Sequence, residues 1–374
     1  MASTESSTML ERRVDAFGTS VVVRTPDAPG SAALLDEMLL AWRDAAPVAA
    51  QPAGPLPSVE VPALDALNFE HLAYRFTVQV TTAALEFHRG EQLMLHAGGI
   101  ARSDGAVVAI AGPSGRGKTT TMSVLAREYG YVSDETITIA GDGSVLPYRK
   151  PLSVITEGHA EKLQVAPSEL GLLPLPAAEL RIAGLVLLDR QPEGIADSVI
   201  EPVPLADALI ELVQQTSYLV ELSDPLRRIA EIASDTGGVR RLRVGIPDRI
   251  PLVADRLFAV DGPAASGGPG SGCEAWEQVL PEAPGAAGYS VSDTVVDAVE
   301  VSDGTAVLTR DRHLRLLAGA APLVWRGICA GDGEAELDAR ISAELGDPPD
   351  GGLRDAVSAV CESLVAAGVL VRES

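Results

Sequence analysis

Apolar residues recur at three- and four-residue intervals across residues 71–89, where Leu72, Phe76, Val80, Ala83, Ala84 and Phe87 form one stripe. This spacing predicts an amphipathic helix, with a shorter one over 36–45. Two brief apolar runs follow, 93–100 and 106–111, joined by Ser103-Asp104-Gly105, which is hairpin chemistry. A helix is predicted over 119–128, after a glycine-rich segment. Residues 136–140 and 144–147 bracket Gly141-Asp142-Gly143 as a second hairpin, and the unbroken run 182–188 has the character of a strand buried on both faces. Helices are predicted over 204–214 and 225–233. Strands and helices mixed in this order predict an α/β fold around a central sheet.

The pattern changes after residue 289. Residues 295–301 alternate, Asp303-Gly304 supplies a tight turn, and 306–308 returns, which predicts a β-hairpin. Three helices are expected next: 322–329 with Leu323, Trp325 and Ile328; 334–345 with Leu337, Ile341 and Leu345; and 353–367 with Val357, Val360, Leu364 and Val365. Between the two patterns lies 262–288, which contains Pro-Ala-Ala-Ser-Gly-Gly-Pro-Gly-Ser-Gly. Glycine and serine at that density cannot recover their ordering entropy by burial, so a flexible tether is expected, with 274–280 around Trp276 as a docking patch inside it. A weaker break falls at 45–57. The expected division is an N-terminal α/β region (1–90) packing on a central unit (91–260), a linker (261–288) and a C-terminal unit (289–374).

Length and charge narrow the partners. The 374 residues suit two or three domains. At 46% hydrophobic and 22% charged, wholesale disorder is excluded. A net charge of −23 repels nucleic acid and anionic membrane, so neither is expected as a partner. The three cysteines, 273, 329 and 361, form neither a metal pair nor an even disulfide framework, which points to a reducing cytosol. With no apolar run of membrane-spanning length and no basic-then-apolar start, a cytoplasmic location is expected.

Gly112-Pro113-Ser114-Gly115-Arg116-Gly117-Lys118-Thr119-Thr120 fits G-x-x-x-x-G-K-[ST], between a predicted strand and a predicted helix. Glycines let consecutive backbone N–H groups turn inward around a phosphate, and the helix N-terminus adds its partial positive charge. Lys118 can then reach the β- and γ-phosphates and Thr119 can offer its hydroxyl to Mg²⁺. Binding of ATP or GTP with Mg²⁺ is the firmest expectation.

Around this loop, Met94-Leu-His96-Ala-Gly-Gly precedes by one hairpin, and Tyr131-Val-Ser-Asp134-Glu135-Thr follows the loop helix. The arrangement resembles the HPr kinase family, in which a histidine before the loop, the loop, and an acidic pair after its helix form one site. The resemblance spans about 91–160, more loosely to 260. It implies that Asp134 takes the proton from a substrate hydroxyl, that His96 tunes Asp134, and that Glu135 helps hold Mg²⁺. Two adjacent carboxylates near a dication can divide these duties. The pair here is Asp-Glu rather than Asp-Asp, and the nearest candidate for the family's downstream glutamate-glycine signature is Glu157-Gly158-His159, so HPr itself is not the expected substrate. The residue-level alternatives are a solvated strand start for Asp134 and Glu135 and a hydrogen-bonded core histidine for His96. Asp189, ending the apolar run 185–188, is a second candidate for the metal, or marks the first solvated turn after a strand. Arg149 and Lys150 are candidates for phosphate or substrate, or a solvated turn. His71, His88, His159 and His313 lack ligand spacing, so no zinc site is expected.

The C-terminal pattern, Gly304-Thr-Ala-Val-Leu, Ala321-Pro-Leu-Val-Trp325-Arg-Gly-Ile and Leu364-Val-Ala-Ala-Gly-Val-Leu370, is similar to PqqD-like precursor-recognition domains. The similarity implies a winged-helix (α+β) shape that binds the leader of a ribosomally made peptide as an added strand on the hairpin edge, with apolar pockets against the third helix. Val299, Val301, Thr305, Val307, Leu308, Val357 and Val360 are the expected peptide contacts. A winged helix used for dimerisation or DNA is the alternative, DNA being the weaker because this unit carries no basic run, and a homo-oligomer is left open. Together the two resemblances imply a protein of ribosomal-peptide biosynthesis that holds a leader and phosphorylates Ser or Thr of the precursor. The rival is a recognition subunit that delivers the precursor to a separate modifying enzyme, such as an oxidoreductase. A kinase for a small hydroxyl compound is a third reading.

Overall fold

A computed structural model of the chain describes residues 9–48, 54–64, 67, 69–155, 162–190, 197–258, 274–282, 285–348 and 352–373. The chain divides into two compact units: residues 1–201, 215–218 and 240–259 form the first, and 202–214, 219–239 and 260–374 form the second. Among the described residues no helix is long and apolar enough to cross a membrane.

The first unit opens with a hairpin that the sequence reading missed, β1 (Met9–Ala16) and β2 (Thr19–Pro26). Its two-residue turn, Phe17-Gly18, has positive φ at both positions, the geometry that matches strand twist in tight hairpins. Phe17 is held there by burial and by a ring contact with Tyr148 at 4.0 Å between centroids. Helices α1 (Ser31–Leu40) and α2 (Phe69–Phe87) and strand β3 (Ser58–Glu60) complete this layer. They enclose a core of Leu35, Trp42, Phe76 and Val80.

The apolar run at 93–100 is broken into two strands that serve different sheets. Strand β4 (Leu93–Leu95) pairs with β8 (Ile137–Ile139) and β14 (Thr216–Ser217), and β9 (Val145–Leu146) pairs with β8. Strand β5 (Ala97–Ala101) joins a six-stranded sheet of order β13-β15-β12-β6-β5-β7, where β6 is Ala106–Ala111, β7 Gly130–Ser133, β12 Arg181–Arg190, β13 Val199–Val203 and β15 Val239–Val244. A small pair, β10 (Leu152–Val154) and β11 (Leu163–Val165), lies outside it. Helix α3 (Lys118–Leu125) crosses from β6 to β7 over β5. It can lie close because Gly98 has no side chain: a Cβ there would stand 2.5 Å from Met122 Cγ. A short helix, α6 (Pro251–Ala254), packs against α3.

The second unit is a four-stranded sheet of order β16-β18-β19-β20, with β16 Glu277–Gln278, β18 Val295–Val301, β19 Gly304–Thr309 and β20 Leu314–Leu317. Helices α7 (Ala321–Ala330), α8 (Glu334–Leu345) and α9 (Leu353–Ala366) share a core with the sheet around Trp325, Ala298 and Val307. A two-stranded pair, β17 (Tyr289–Val291) with β21 (Leu370–Arg372), closes it. Helix α5 (Pro225–Asp235) packs on β18, and α4 (Leu205–Gln214) packs on β19 and β20. The expected boundary near 260 assigned both helices to the central unit, whereas the contacts group them with the C-terminal hairpin. Of the expected tether, 261–273 and 283–284 lie outside the described residues. The Trp276 patch within it docks as β16: the Trp276 indole donates to Ser234 Oγ at 2.8 Å, and the Trp325 indole donates to the Val279 carbonyl at 3.0 Å.

Asp297 fastens these pieces. Its side chain is fully buried in β18 and accepts from the Leu226 and Arg227 amides at the start of α5 (2.8 and 3.0 Å) and from Gln278 Nε2 of β16 (2.9 Å). A carboxylate on a helix N-terminus satisfies donors that the helix itself cannot. Asp297→Ala strands several buried donors at once, so a loss of roughly 3 kcal/mol or more is expected in urea unfolding.

Candidate functional site

Strand register alone assembles the site. Antiparallel β5 and β6 pair Ala97 with Ala111, so His96, just before β5, and Gly112, just after β6, leave the same sheet edge. Strand β7 runs antiparallel to β5 with Gly99 opposite Ser133, which brings Asp134 and Glu135 to that edge too. Strand β12 runs parallel to β6 with Leu187 opposite Ala111, so Asp189 and Arg190 project past it as well. Ligands in α/β sheets sit beyond strand ends of this kind.

The loop after β6 has the conformation its glycines permit. Gly115 and Gly117 have φ of 80° and 88°, and no atom lies within 4 Å of a Cβ placed on Gly115. Among the described residues the amides of Gly115, Gly117 and Lys118 donate to no backbone carbonyl. They remain available to an anion at the start of α3. The buried Lys118 ammonium folds back on the carbonyls of Gly112 and Pro113, the second at 3.3 Å. Burial lowers its pKa, and the charges of Asp134 and Glu135 partly oppose that shift.

Asp134 is the hub. Its Oδ2 accepts from Thr119 Oγ1 at 3.3 Å, and its Oδ1 accepts from the buried Tyr131 hydroxyl at 2.9 Å. Burial, with Asp134 beside it, raises the Tyr131 pKa well above the ordinary value, which keeps that phenol a donor. Lys150 Nζ stands 3.3 Å from Asp134 Oδ1 and 3.1 Å from Glu135 Oε2. Burial works against the Lys150 ammonium, but the two carboxylates outweigh it and raise its pKa. His96 lies close to the same group. Burial first, and then the Lys118 charge, lower its pKa against the pull of Glu135.

The structure therefore brings together the loop 112–120, His96, Asp134 and Glu135. Asp189 reaches the rim, where Arg116 is its ion-pair partner at 4.0 Å. Arg149 and Lys150 are both buried, so neither forms the solvated turn allowed for them. The Arg149 guanidinium donates to the carbonyls of Tyr131 (2.6 Å), Leu173 (2.9 Å) and Asp44 (3.1 Å). Sequence reasoning missed Tyr131 and Arg190. The Arg190 side chain runs past the loop, its Cδ 3.3 Å from a Cβ placed on Gly117. Its position one residue past Asp189 was the available signal. Glu157-Gly158-His159 lies outside the described residues.

The expected peptide contacts are placed differently. Val299, Val301, Thr305, Val307, Leu308 and Val357 are buried, and Val360 is half-buried against the helical core. The β18 side of the hairpin pairs with the chain's own β16, Gln278 opposite Val299, and β19 is flanked by β18 and β20. Among the described residues β16 covers Val299 and Glu300 of the β18 edge, and α4 and α5 pack on the sheet. These side chains are core.

Oxygen donors suit Mg²⁺: one hydroxyl and two carboxylates, with phosphate oxygens completing the shell, is a common magnesium arrangement. Among the described residues no group of three or more His, Cys, Asp or Glu side chains could hold a metal without such help. Thr119 and Glu135, with Asp134 beside them, fit the ion.

Stability should fall in acid. Burial lowers the pKa of both His88 and His96 from 6.5. The unfolded chain then binds protons first as pH drops, so stability is complete above about pH 6.5 and declines below it. Thermal melting is expected to fall between pH 7.5 and 5.5, and His88→Leu to flatten that slope.

No protein-family profile matches the chain, and no curated protein matches it. Among solved structures, the HPr(Ser) kinase/phosphatase from Coxiella burnetii is similar over 44% of this chain and 92% of that one, at 14% identity and a TM-score of 0.23. A similarity at that score leaves the fold to be read from the strands themselves.

Proposed function

We propose that the chain binds ATP or GTP with Mg²⁺ and transfers the γ-phosphoryl group to a Ser or Thr hydroxyl of a ribosomally made precursor peptide, in the manner of HPr kinase-like enzymes. The observation that carries the phosphoryl-transfer reading is the hydrogen bond between Thr119 Oγ1 and Asp134 Oδ2 at the mouth of the loop. It joins the motif's metal-binding hydroxyl to the carboxylate best placed to receive a proton. The loop amides and Lys118 bind and orient the triphosphate, and Arg116 and Arg190 add positive charge at its rim. Asp134 Oδ2 accepts the proton of the acceptor hydroxyl, while Tyr131 and Lys150 hold Oδ1. Thr119 and Glu135 would hold Mg²⁺, which when bound would supply charge neutralisation on the phosphates. Transfer of this kind needs mainly alignment and charge balance.

The peptide half of the proposal rests on the PqqD-like pattern of hairpin and three helices. With β18 paired to β16, strand addition moves to β20, the outermost strand of its sheet among the described residues. Incubation with γ-labelled ATP and the precursor peptide encoded beside the gene is expected to label the peptide. An unlabelled peptide, with ATP bound normally, removes the kinase.

One observation favours the rival reading, a recognition subunit whose nucleotide unit is reduced to scaffold or sensor: the Lys150 ammonium already sits against both members of the acidic pair and offsets one of their two charges. In that case a partner modifying enzyme depends on this chain; Lys118→Ala leaves the partner's activity intact if the nucleotide unit is scaffold and lowers it if the unit senses nucleotide.

A further inference from the structure

Two adjacent carboxylates at a phosphate loop attract a divalent cation by charge alone, before phosphate oxygens complete its shell. Here a lysine stands between them. We propose that Lys150 is an internal cation that keeps Mg²⁺ off the Asp134–Glu135 pair until phosphates arrive, so that metal enters only with nucleotide. This rests on the nucleotide-binding reading of the site.

Three features carry it. First, one ammonium reaches both carboxylates, at 3.3 and 3.1 Å, and sends a further donor to the Pro151 carbonyl at 3.2 Å. An ammonium has three donors, and all are engaged. Second, the ammonium is enclosed: its side chain is 6% exposed, and the backbone that carries it is bounded by Pro151 and by Arg149, whose guanidinium is held by three carbonyls. Third, the oxygens left for a metal are few. Asp134 Oδ1 is taken by Tyr131 and Lys150, and Glu135 Oε2 by Lys150, which leaves Asp134 Oδ2, facing Thr119, and Glu135 Oε1. A dication added to this group meets a positive charge already seated at close range, with Lys150 and Asp134 both shielded from solvent. Phosphate oxygens on the loop reverse that balance and supply the missing ligands.

The test is a Mn²⁺ titration of the full chain, read by electron paramagnetic resonance, without nucleotide. Lys150→Met and Lys150→Gln, the second keeping a donor without the charge, are each expected to bind Mn²⁺ at least tenfold more tightly than the wild type. Adding Glu135→Gln is expected to cancel the gain, and saturating ATP to shrink it below about threefold. A variant that keeps the wild-type circular dichroism and the wild-type Mn²⁺ affinity overturns the proposal, as does a gain that ATP leaves unchanged. Failure of both variants to fold also overturns it, because the ammonium would then be a structural ion pair. Absence of ATP binding in the wild type would instead sink the nucleotide reading and leave the nucleotide-free comparison standing.

Discussion

Lys118→Ala is expected to weaken ATP binding by about 100-fold or more in isothermal titration. The ammonium is buried at the loop and ends on the neutral carbonyls of Gly112 and Pro113, a resting position from which it can turn to phosphate. Two charge-assisted hydrogen bonds at about 1.5 kcal/mol each correspond to roughly two decades of affinity. The desolvation that lowers its pKa also strengthens its attraction for an anion, because less water competes. The control is Lys162→Ala, an exposed lysine of the same unit, which should bind as the wild type does. Equal affinity in both variants would remove Lys118 from the phosphate site.

Asp134→Asn is expected to slow phosphoryl transfer by about 10²–10⁴-fold, with ATP affinity within about threefold of the wild type. The amide nearly matches the carboxylate in shape. Its oxygen can still accept from Tyr131, but its nitrogen cannot take a proton from an acceptor hydroxyl. Single-turnover transfer from labelled ATP measures the rate, and titration with a non-hydrolysable analogue measures the affinity. A rate within tenfold of the wild type would show that Asp134 only holds Thr119. Lost affinity together with lost rate would place it with the metal.

Much of this site was legible because it depends on local order along the chain. A strand, a glycine loop, a helix and a returning strand fix where His96, Lys118 and Asp134 emerge, and the spacing between them is short. Tyr131 escaped notice, and Lys150 reads in sequence as a phosphate or substrate contact or a solvated turn, because their roles depend on burial. Nothing near either residue distinguishes a lysine sealed between carboxylates from one in a solvated turn. Asp189 was readable as a strand end, while its pairing with Arg116 follows from the loop's conformation. The C-terminal hairpin was readable from the alternation around Asp303-Gly304. Its valines look like a half-buried face until α4 and α5, encoded far upstream, are laid against the sheet. The turn at Phe17-Gly18 was missed because a phenylalanine with positive φ contradicts its own preference, and only the Tyr148 contact makes it tolerable.

The carboxylate of Asp297 on the start of α5 has a consequence for domain exchange. A graft made at the glycine-rich stretch would transplant the hairpin without the helix it caps, and would leave a charged side chain facing empty apolar space. A portable cassette must instead carry two discontinuous pieces of chain. Homologous swaps that ignore this should yield insoluble chimaeras, whereas those that move residues 202–239 together with the C-terminal segment should stay in solution.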